Sequence, residues 1–561
     1  MRSSASTAWF RSIAGGRSTE SRVTEPGRGI PECRVTEPRP LGSGLPGRST
    51  SWLLSVVVLA GCAREQTPAL RRLVILPIEN LASSADAVVD AAAIQLAVWD
   101  SLQAQPALHA VIAGHRRDLP ELQPAWIVAG YVAGGRFQLQ LNDQPISCAG
   151  TLADCVARVT GEIASRVGVT PRPAIKAESL RILAGSKTLD ALEKAANSDP
   201  GFSVVWLAWA AEAQSRGGVP GALAVLKGAP LNSMAPFDAA RIRLRLAELS
   251  QDRTARAHAL AALARTSPAD VELQSQAAQA AAAVRDFVAA AQLFDQLISM
   301  VPNPRFLNQA AYVAAFMGDR PKAERYAAAA HSAAPNDPTY LDTRGEIAYF
   351  FGAFADASRF FEQTANLNVT FLNGQELWKA ADAARNAGDK SRSRALLARY
   401  LEFRTKAGLH NTLILQAVWD WSGPEQDEAI KRLSAVSDST DRGGAQFLLA
   451  LIALNKRDFT AAQAHRRQLD PKAVEAAFLG SLMDGTPIPS GFPVPPEAIA
   501  ALRHFLRGEN QAALASYAKA KPKIDPFSEG HWRKFEAVLN GRKPQGLLPA
   551  APDDWLAVLL R

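Results

Sequence analysis

The chain has 561 residues, 48% hydrophobic and 21% charged, enough for several domains and a large total core. Its formal charge of +8 is spread thinly. Residues 1–61 hold eight Arg against four Glu, and the other 500 hold 54 basic against 50 acidic side chains. No basic stripe carries interleaved aromatics, so composition argues against a nucleic-acid partner.

Residues 1–50 are rich in Gly, Ser, Pro and Arg and repeat RVTEP at 22–26 and 34–38. Such a stretch cannot bury a core, which predicts disorder. GSGLPG (42–47) has the letters of a dinucleotide-binding loop, but no strand precedes it and a proline interrupts it. RSTSWLLSVVVLAGC (48–62) then sets a basic residue before an apolar run and small residues. This is the pattern of a secretory signal, and it is too short to span a bilayer as a helix. A buried apolar strand ending in Gly-Cys is the alternative. Leu59-Ala60-Gly61-Cys62 resembles the lipobox of bacterial lipoproteins. The resemblance implies cleavage before Cys62, lipid on its thiol, and firm anchoring by several acyl chains. Ala63 and Arg64 follow, without the Asp that by analogy retains lipoproteins at the inner membrane, which points to the periplasmic side of the outer membrane. A start site downstream of Met1 would account for the long leader ahead of the signal. Residues 62–72 read as a tether.

Residues 73–170 change character. LVILPI (73–78), HAVIAG (109–114), WIVAGYV (126–132) and RFQLQLND (136–143) read as strands, the last alternating with period two. A helical stretch at 86–104 and the amphipathic DCVARVTGEIASRVGV (154–169) complete a small α/β domain. The strand RRLVILPIENL, the segment GYVAGGRFQLQLND and the closing helix resemble the TolB amino-terminal-like domain, which implies a structural or interaction module with no catalytic residue. Cys148 and Cys155 lie between its last strand and last helix. In an exported protein they could bond, and two free buried thiols are the alternative.

PRPAIKAE (171–178) reads as a linker, and a helical array is expected over 179–483. Its clearest part is 303–369, where two units each show a helix pattern, a Gly-centred turn and a second helix pattern. Gly318 and Gly352 are 34 residues apart, as are Ala323 and Ala357. Pro200, Pro268, Pro302 and Pro335 keep the same period, and Asp252, Asp286, Asp319 and Asp389 sit in the turns. A small residue recurs within the first helix as Ala278, Ala311, Gly345 and Ala381, where it lets paired helices approach. Self-similarity at this period predicts stacked helix pairs, since one pair cannot bury its apolar face alone. These positions resemble the tetratricopeptide repeat (TPR). The Pro-rich segment 484–498 is either a loop between repeats or a boundary. Residues 499–561 read as a degenerate repeat with a C-terminal cap, in which Trp555, Leu556, Val558 and Leu559 could seal the last unit.

The fold class is therefore mainly α, a TPR-type α-α superhelical solenoid preceded by a small α/β domain. The TPR resemblance implies that the second, fifth, ninth and twelfth residues of each first helix line a concave groove. Here those are Arg305, Asn308, Tyr312 and Ala315; Thr339, Asp342, Glu346 and Tyr349; Gln375, Trp378, Asp382 and Arg385. Mixed charge with aromatics suits a recognition surface, whereas packing of Tyr312, Tyr349 and Trp378 between repeats is the alternative. The family's Lys/Asn clamp for C-terminal carboxylates is not reproduced beyond Arg305 and Asn308.

Chemistry is otherwise sparse. His109 and His115 have no third ligand nearby, and no HExxH, phosphate-cradling loop or nucleophile elbow is present. We expect no enzyme activity, cofactor, metal or small-molecule substrate. The expected function is a non-catalytic protein–protein interaction scaffold of the bacterial cell envelope. The alternative is a cytoplasmic or membrane-linked regulatory protein related to TPR-containing cyclase, kinase or transcriptional-activator systems.

Overall fold

The computed structural model describes residues 71–81, 84–133, 136–185, 188–409, 411–488, 494–524, 529–542 and 555–560. Cys62, the apolar run before it and the leader lie outside the described residues.

The first unit is a sheet with helices on one face. Its strands are β1 (Arg71–Ile75), β2 (Glu79–Asn80), β3 (Leu108–Ile112), β4 (Trp126–Ala133), β5 (Arg136–Leu141) and β6 (Gln144–Ala149). Their order is β3-β1-β4-β5-β6, with β2 also on β4. β3, β1 and β4 run parallel, whereas β4, β5 and β6 are antiparallel. The continuous apolar run of β1 follows from burial on both faces. Leu73 and Ile75 face the helices Ala85–Ser101 and Leu152–Val167, while Val74 and Leu76 pack on the other side with Ala113 and Ala129.

Sequence reading did not anticipate β6, because QPISCA is polar and holds a proline. β6 is an edge strand, where Pro145 has no ladder donor to withhold from a second neighbour. The turn into it uses Asn142 at φ 53, a left-handed conformation that Asn adopts more readily than most residues. Cys148 on β6 and Cys155 on the closing helix are joined by a disulfide, their Cα atoms 5.5 Å apart.

The stretch read as a linker is packed. Arg172 N donates to Ser101 O at 2.8 Å, and Ile175 is buried in the core of the sheet unit. The Arg172 side chain binds Asp238 of the helix Pro236–Leu249 and stacks 4.7 Å over Phe237, so sheet unit and array share a charged seam. Asp100, Asp238 and Arg241 complete that seam, with Arg241 5.4 Å over Trp99. Burial raises the Asp100 carboxyl above its ordinary value. His109 of β3 also joins the array, 3.4 Å from Asp270.

Beyond 177 the chain is helical. Pairs repeat as Val271–Ala283 with Phe287–Met300, Pro304–Phe316 with Arg320–Ala333, and Pro338–Phe350 with Phe354–Leu367. The turn aspartates are N-caps: Asp252, Asp286, Asp319 and Asp389 each accept a backbone N–H of the second helix at 2.9–3.1 Å. Gly345 permits a close approach within its pair. A Cβ there would lie 2.5 Å from the Phe361 ring of the paired helix. The Pro-rich segment joins Val474–Met483 to Pro496–Leu506, and these helices pack on each other.

The C-terminal helix Trp555–Leu559 does more than seal the last unit. It packs against Ser439–Asn455 and Thr412–Ser422, with Trp421 Nε1 donating to Val558 O and Asn455 Nδ2 to Leu559 O, both at 3.0 Å. Its apolar residues have no partner within their own five-residue helix, so they bury against helices about 100 residues earlier. The whole is a TPR-type α-α solenoid preceded by a small α/β unit.

Candidate functional site: the face of the first helices

The groove residues expected from sequence lie on Pro304–Phe316, Pro338–Phe350 and Gln375–Asn386, the first helices of three successive pairs. The structure brings most of them together, but into contact with one another. Tyr312 donates to Glu346 Oε2 at 2.6 Å. Lys379 Nζ donates to Asp342 Oδ1 at 2.7 Å and Glu346 Oε1 at 2.9 Å, and lies 3.0 Å from Glu376 Oε1. One ammonium therefore holds three carboxylates from two helices, above the Phe361 ring at 5.3 Å.

A second cluster continues the line. Tyr349 donates to Asp382 Oδ2 at 2.7 Å, Asn386 Nδ2 donates to the Tyr349 oxygen at 3.0 Å, and Arg385 donates to Asp382 Oδ1 at 2.6 Å. Arg385 also sits 4.2 Å over Trp419 of the next first helix, Thr412–Ser422. Each of these side chains reaches about one repeat along the sequence, so they form a polar ladder that stitches neighbouring pairs.

Burial controls the electrostatics. It pushes the Asp342 carboxyl well above its ordinary value, helped by the negative charge of Glu376, and it raises Glu376 as well. Burial alone would lower the Lys379 ammonium, but Asp342, Glu346 and Glu376 reverse this and hold it well above the ordinary lysine value. The Tyr312 and Tyr349 hydroxyls rise for the same two reasons, burial first and then the carboxylate each one meets. Lys379 already supplies the cation that this acidic site accommodates. Among the described residues no group of three His, Cys, Asp or Glu is placed to hold a metal ion.

These positions correct the groove reading residue by residue. Tyr349, Trp378, Asp342 and Asp382 are buried, and Trp378 packs edge-on against Tyr400 and Trp419 at 5.6 and 4.9 Å. Tyr349 and Trp378 are committed between repeats because a large apolar surface gains by burial, and Asp342 and Asp382 are tolerated there because Lys379 and Arg385 pair them. Ala315 is buried too, and Gln375 is half-buried. Arg305 and Thr339 remain exposed, and the Asn308 side-chain oxygen is buried with no hydrogen-bond partner among the described residues.

Lys379 and Glu376 were missed because neither falls on one of the four counted positions of Gln375–Asn386. Counting from the family positions selects Trp378, whereas the neighbour's carboxylates meet Lys379, one residue on. The signal available was the Glu376–Lys379 spacing of i, i+3 set one repeat after Asp342 and Glu346. His115 caps a short turn, its N–H donating to Asp118 at 2.9 Å.

No protein-family model matches the sequence, and no curated protein matches it. Three solved structures illustrate the structural likenesses. The Naa15/Naa10 complex bound to HypK-THB shares 15% identity, with 63% of each chain covered and a TM-score of 0.34. The human IFIT1 dimer with PPP-AAAA shares 12%, covering 65% of this chain and 89% of that one, with a TM-score of 0.26. The TPR domain of P58(IPK) shares 14%, covering 61% and 90%, with a TM-score of 0.15. The chain thus spans less than two thirds of the first of these. None of the likenesses reaches a level that extends to function, and the fold assignment rests on the helix pairs of this chain.

Proposed function

We propose that the chain is a non-catalytic protein-binding scaffold of the bacterial cell envelope, anchored by lipid on Cys62. The observation that carries the scaffold reading is the array of stacked helix pairs, an extended surface with side chains of both charges. A partner would read the exposed remainder of the first-helix face, including Arg305 and Thr339, with Asn308 half-buried beside them. The buried ladder would keep successive pairs in fixed relation so that this surface is presented as one body. The Cys148–Cys155 disulfide favours export, because such bonds persist in oxidising compartments and are rare in reducing ones. That same bond weighs against the cytoplasmic regulatory reading.

The test is the mass of the mature N-terminus, with membrane fractionation of wild type and Cys62→Ala. The expected result is a lipid-modified Cys62 and release of the Cys62→Ala protein from membranes. An unprocessed N-terminus on a soluble wild-type protein would overturn the envelope reading. Site-specific crosslinking from Arg305 and Thr339 then tests the surface. The same crosslinked partner from both positions supports it, and no crosslink above that of a Glu324 control removes it.

A further inference from the structure

We propose that the cavity between the helices Ser439–Asn455, Pro496–Leu506 and Glu529–Leu539 is a binding site for a carboxylate carried on a short apolar chain. The cavity measures about 350 Å³ and is lined by Asn455, Arg457, Phe505, Leu506, Val538, Arg542 and Leu560. Its chemistry is divided. Phe505, Leu506, Val538 and Leu560 supply an apolar floor, and two guanidinium groups supply positive charge at the exposed side. That volume is at the lower end of the range for small-molecule sites.

Among the described residues, Arg457 and Arg542 make no side-chain hydrogen bond and no ion pair. Asp458, next in sequence to Arg457, caps the next helix through Ala461 N at 2.9 Å, and Glu509, next to Gly508, pairs with His504. Asn455 Nδ2 is held by Leu559 O, which fixes that wall. A guanidinium presents its donors in a planar fork that matches a carboxylate, so two of them beside an apolar floor select an anion with a hydrocarbon tail.

A second observation points the same way. The turns after Pro304–Phe316, Pro338–Phe350, Gln375–Asn386 and Pro496–Leu506 place glycine in the left-handed region, at φ 79, 76, 85 and 79 for Gly318, Gly352, Gly388 and Gly508. The turn after Ser439–Asn455 puts Arg457 there, at φ 59. An L-residue is disfavoured in that conformation, and such outliers concentrate at functional positions. The comparable Arg285, at φ 67, uses its side chain to bind Ile524 O at 3.3 Å. Among the described residues Arg457, like Gln251 at φ 55 in the turn after Pro236–Leu249, makes no side-chain bond, and its guanidinium comes within reach of the Gly508 turn at the cavity rim.

Two sources offer this chemistry, a free medium-chain carboxylate and the C-terminus of an apolar peptide. The experiment titrates the full chain with decanoate, with the peptide Ala-Leu-Leu-Phe, and with the same peptide amidated, by calorimetry. Arg457→Gly and Arg542→Gln serve as variants. Glycine suits the left-handed turn, so Arg457→Gly is expected to fold at least as well as wild type. We expect saturable binding of decanoate or of the free-acid peptide, weakened at least tenfold by either variant and by amidation. Preference for decanoate identifies a lipid-like ligand, and preference for the peptide identifies a protein terminus. Absence of binding by both, or equal binding by wild type and Arg457→Gly, overturns the proposal.

Discussion

Lys379 is the side chain on which the middle of the array depends most. Its ammonium contacts Asp342, Glu346 and Glu376 at 2.7, 2.9 and 3.0 Å. Removing one partner from a buried charge cluster is far costlier than the cluster's net worth, because it strands the others away from water. Lys379→Met should therefore destabilise by about 3–5 kcal/mol at pH 7.5, read by urea unfolding. The pH dependence carries the sign. Burial raises the folded-state pKa of Asp342 and Glu376, so the folded state holds protons that the unfolded chain has already released. Their contribution is most favourable near and below the ordinary carboxylate values, and it declines as pH rises through the raised folded values. The deficit of Lys379→Met against wild type should accordingly shrink as pH is lowered from 7.5 towards 4.5. A deficit that grows on acidification would mean that the carboxylates are not held by Lys379 in solution. Tyr349→Phe is the milder contrast, losing one hydroxyl that donates to Asp382, with an expected cost of about 1 kcal/mol at pH 7.5 by the same unfolding assay.

At the scale of a helix pair, two glycines are required for different reasons, and the two can be separated. Gly345 lies inside a helix, and its missing Cβ makes room for the Phe361 ring. Gly345→Ala should cost about 1–3 kcal/mol through overpacking, with Phe361→Leu partly relieving it. Gly352 has open space around its Cβ position but sits at φ 76. Gly352→Ala should cost about 1–2 kcal/mol through the backbone alone, and Phe361→Leu should give it no relief. Thermal unfolding of the two double variants separates the mechanisms. These elements were legible because their causes are local. A left-handed turn, an Asp N-cap and a small residue at a crossing each leave a mark at a fixed offset, and the marks recur every 34 residues. The ladder was legible only in part. Tyr312, Asp342, Glu346, Tyr349, Asp382 and Arg385 were identified as sharing a face, but whether they face water or each other depends on how far one helix is rotated against the next. Lys379, one residue past Trp378 and outside the counted positions, is the side chain that meets Asp342 and Glu346. β6 was hidden because an edge strand is under less pressure to be apolar, and the packing of Trp555–Leu559 was hidden because its partners are remote in sequence.

For the whole molecule, that remote packing changes what kind of solenoid this is. A repeat array is approximately one-dimensional, each unit touching its neighbours alone, so damage at one end should stay there. This chain carries cross-links of longer reach. Arg285 binds Ile524 across 239 residues, Arg533 stacks 5.9 Å over Phe350, and Trp421 binds Val558 across 137 residues. Trp555, on the same terminal helix as Val558, sets its ring 4.7 Å from Phe478 and 6.4 Å from Trp532. Trp555→Ala removes a buried aromatic and should cost about 3–5 kcal/mol in the cooperative unit that contains it. The extent of that unit distinguishes the two architectures. If the C-terminal segment closes the array, Trp555→Ala will speed amide exchange in Thr412–Ser422 and Ser439–Asn455, far upstream of the substitution. The sheet unit, tied by Cys148–Cys155 and joined to the array through Arg172 and His109, should keep its wild-type protection. Exchange confined to residues after 496 would instead make the C-terminal contacts passive and the array one-dimensional. The closed form also bears on the cavity beside Arg457 and Arg542, because one wall of it, Leu560, belongs to this returning segment. Trp555→Ala should therefore weaken decanoate or peptide binding without touching either guanidinium, and restoring the aromatic as Trp555→Phe should recover much of it.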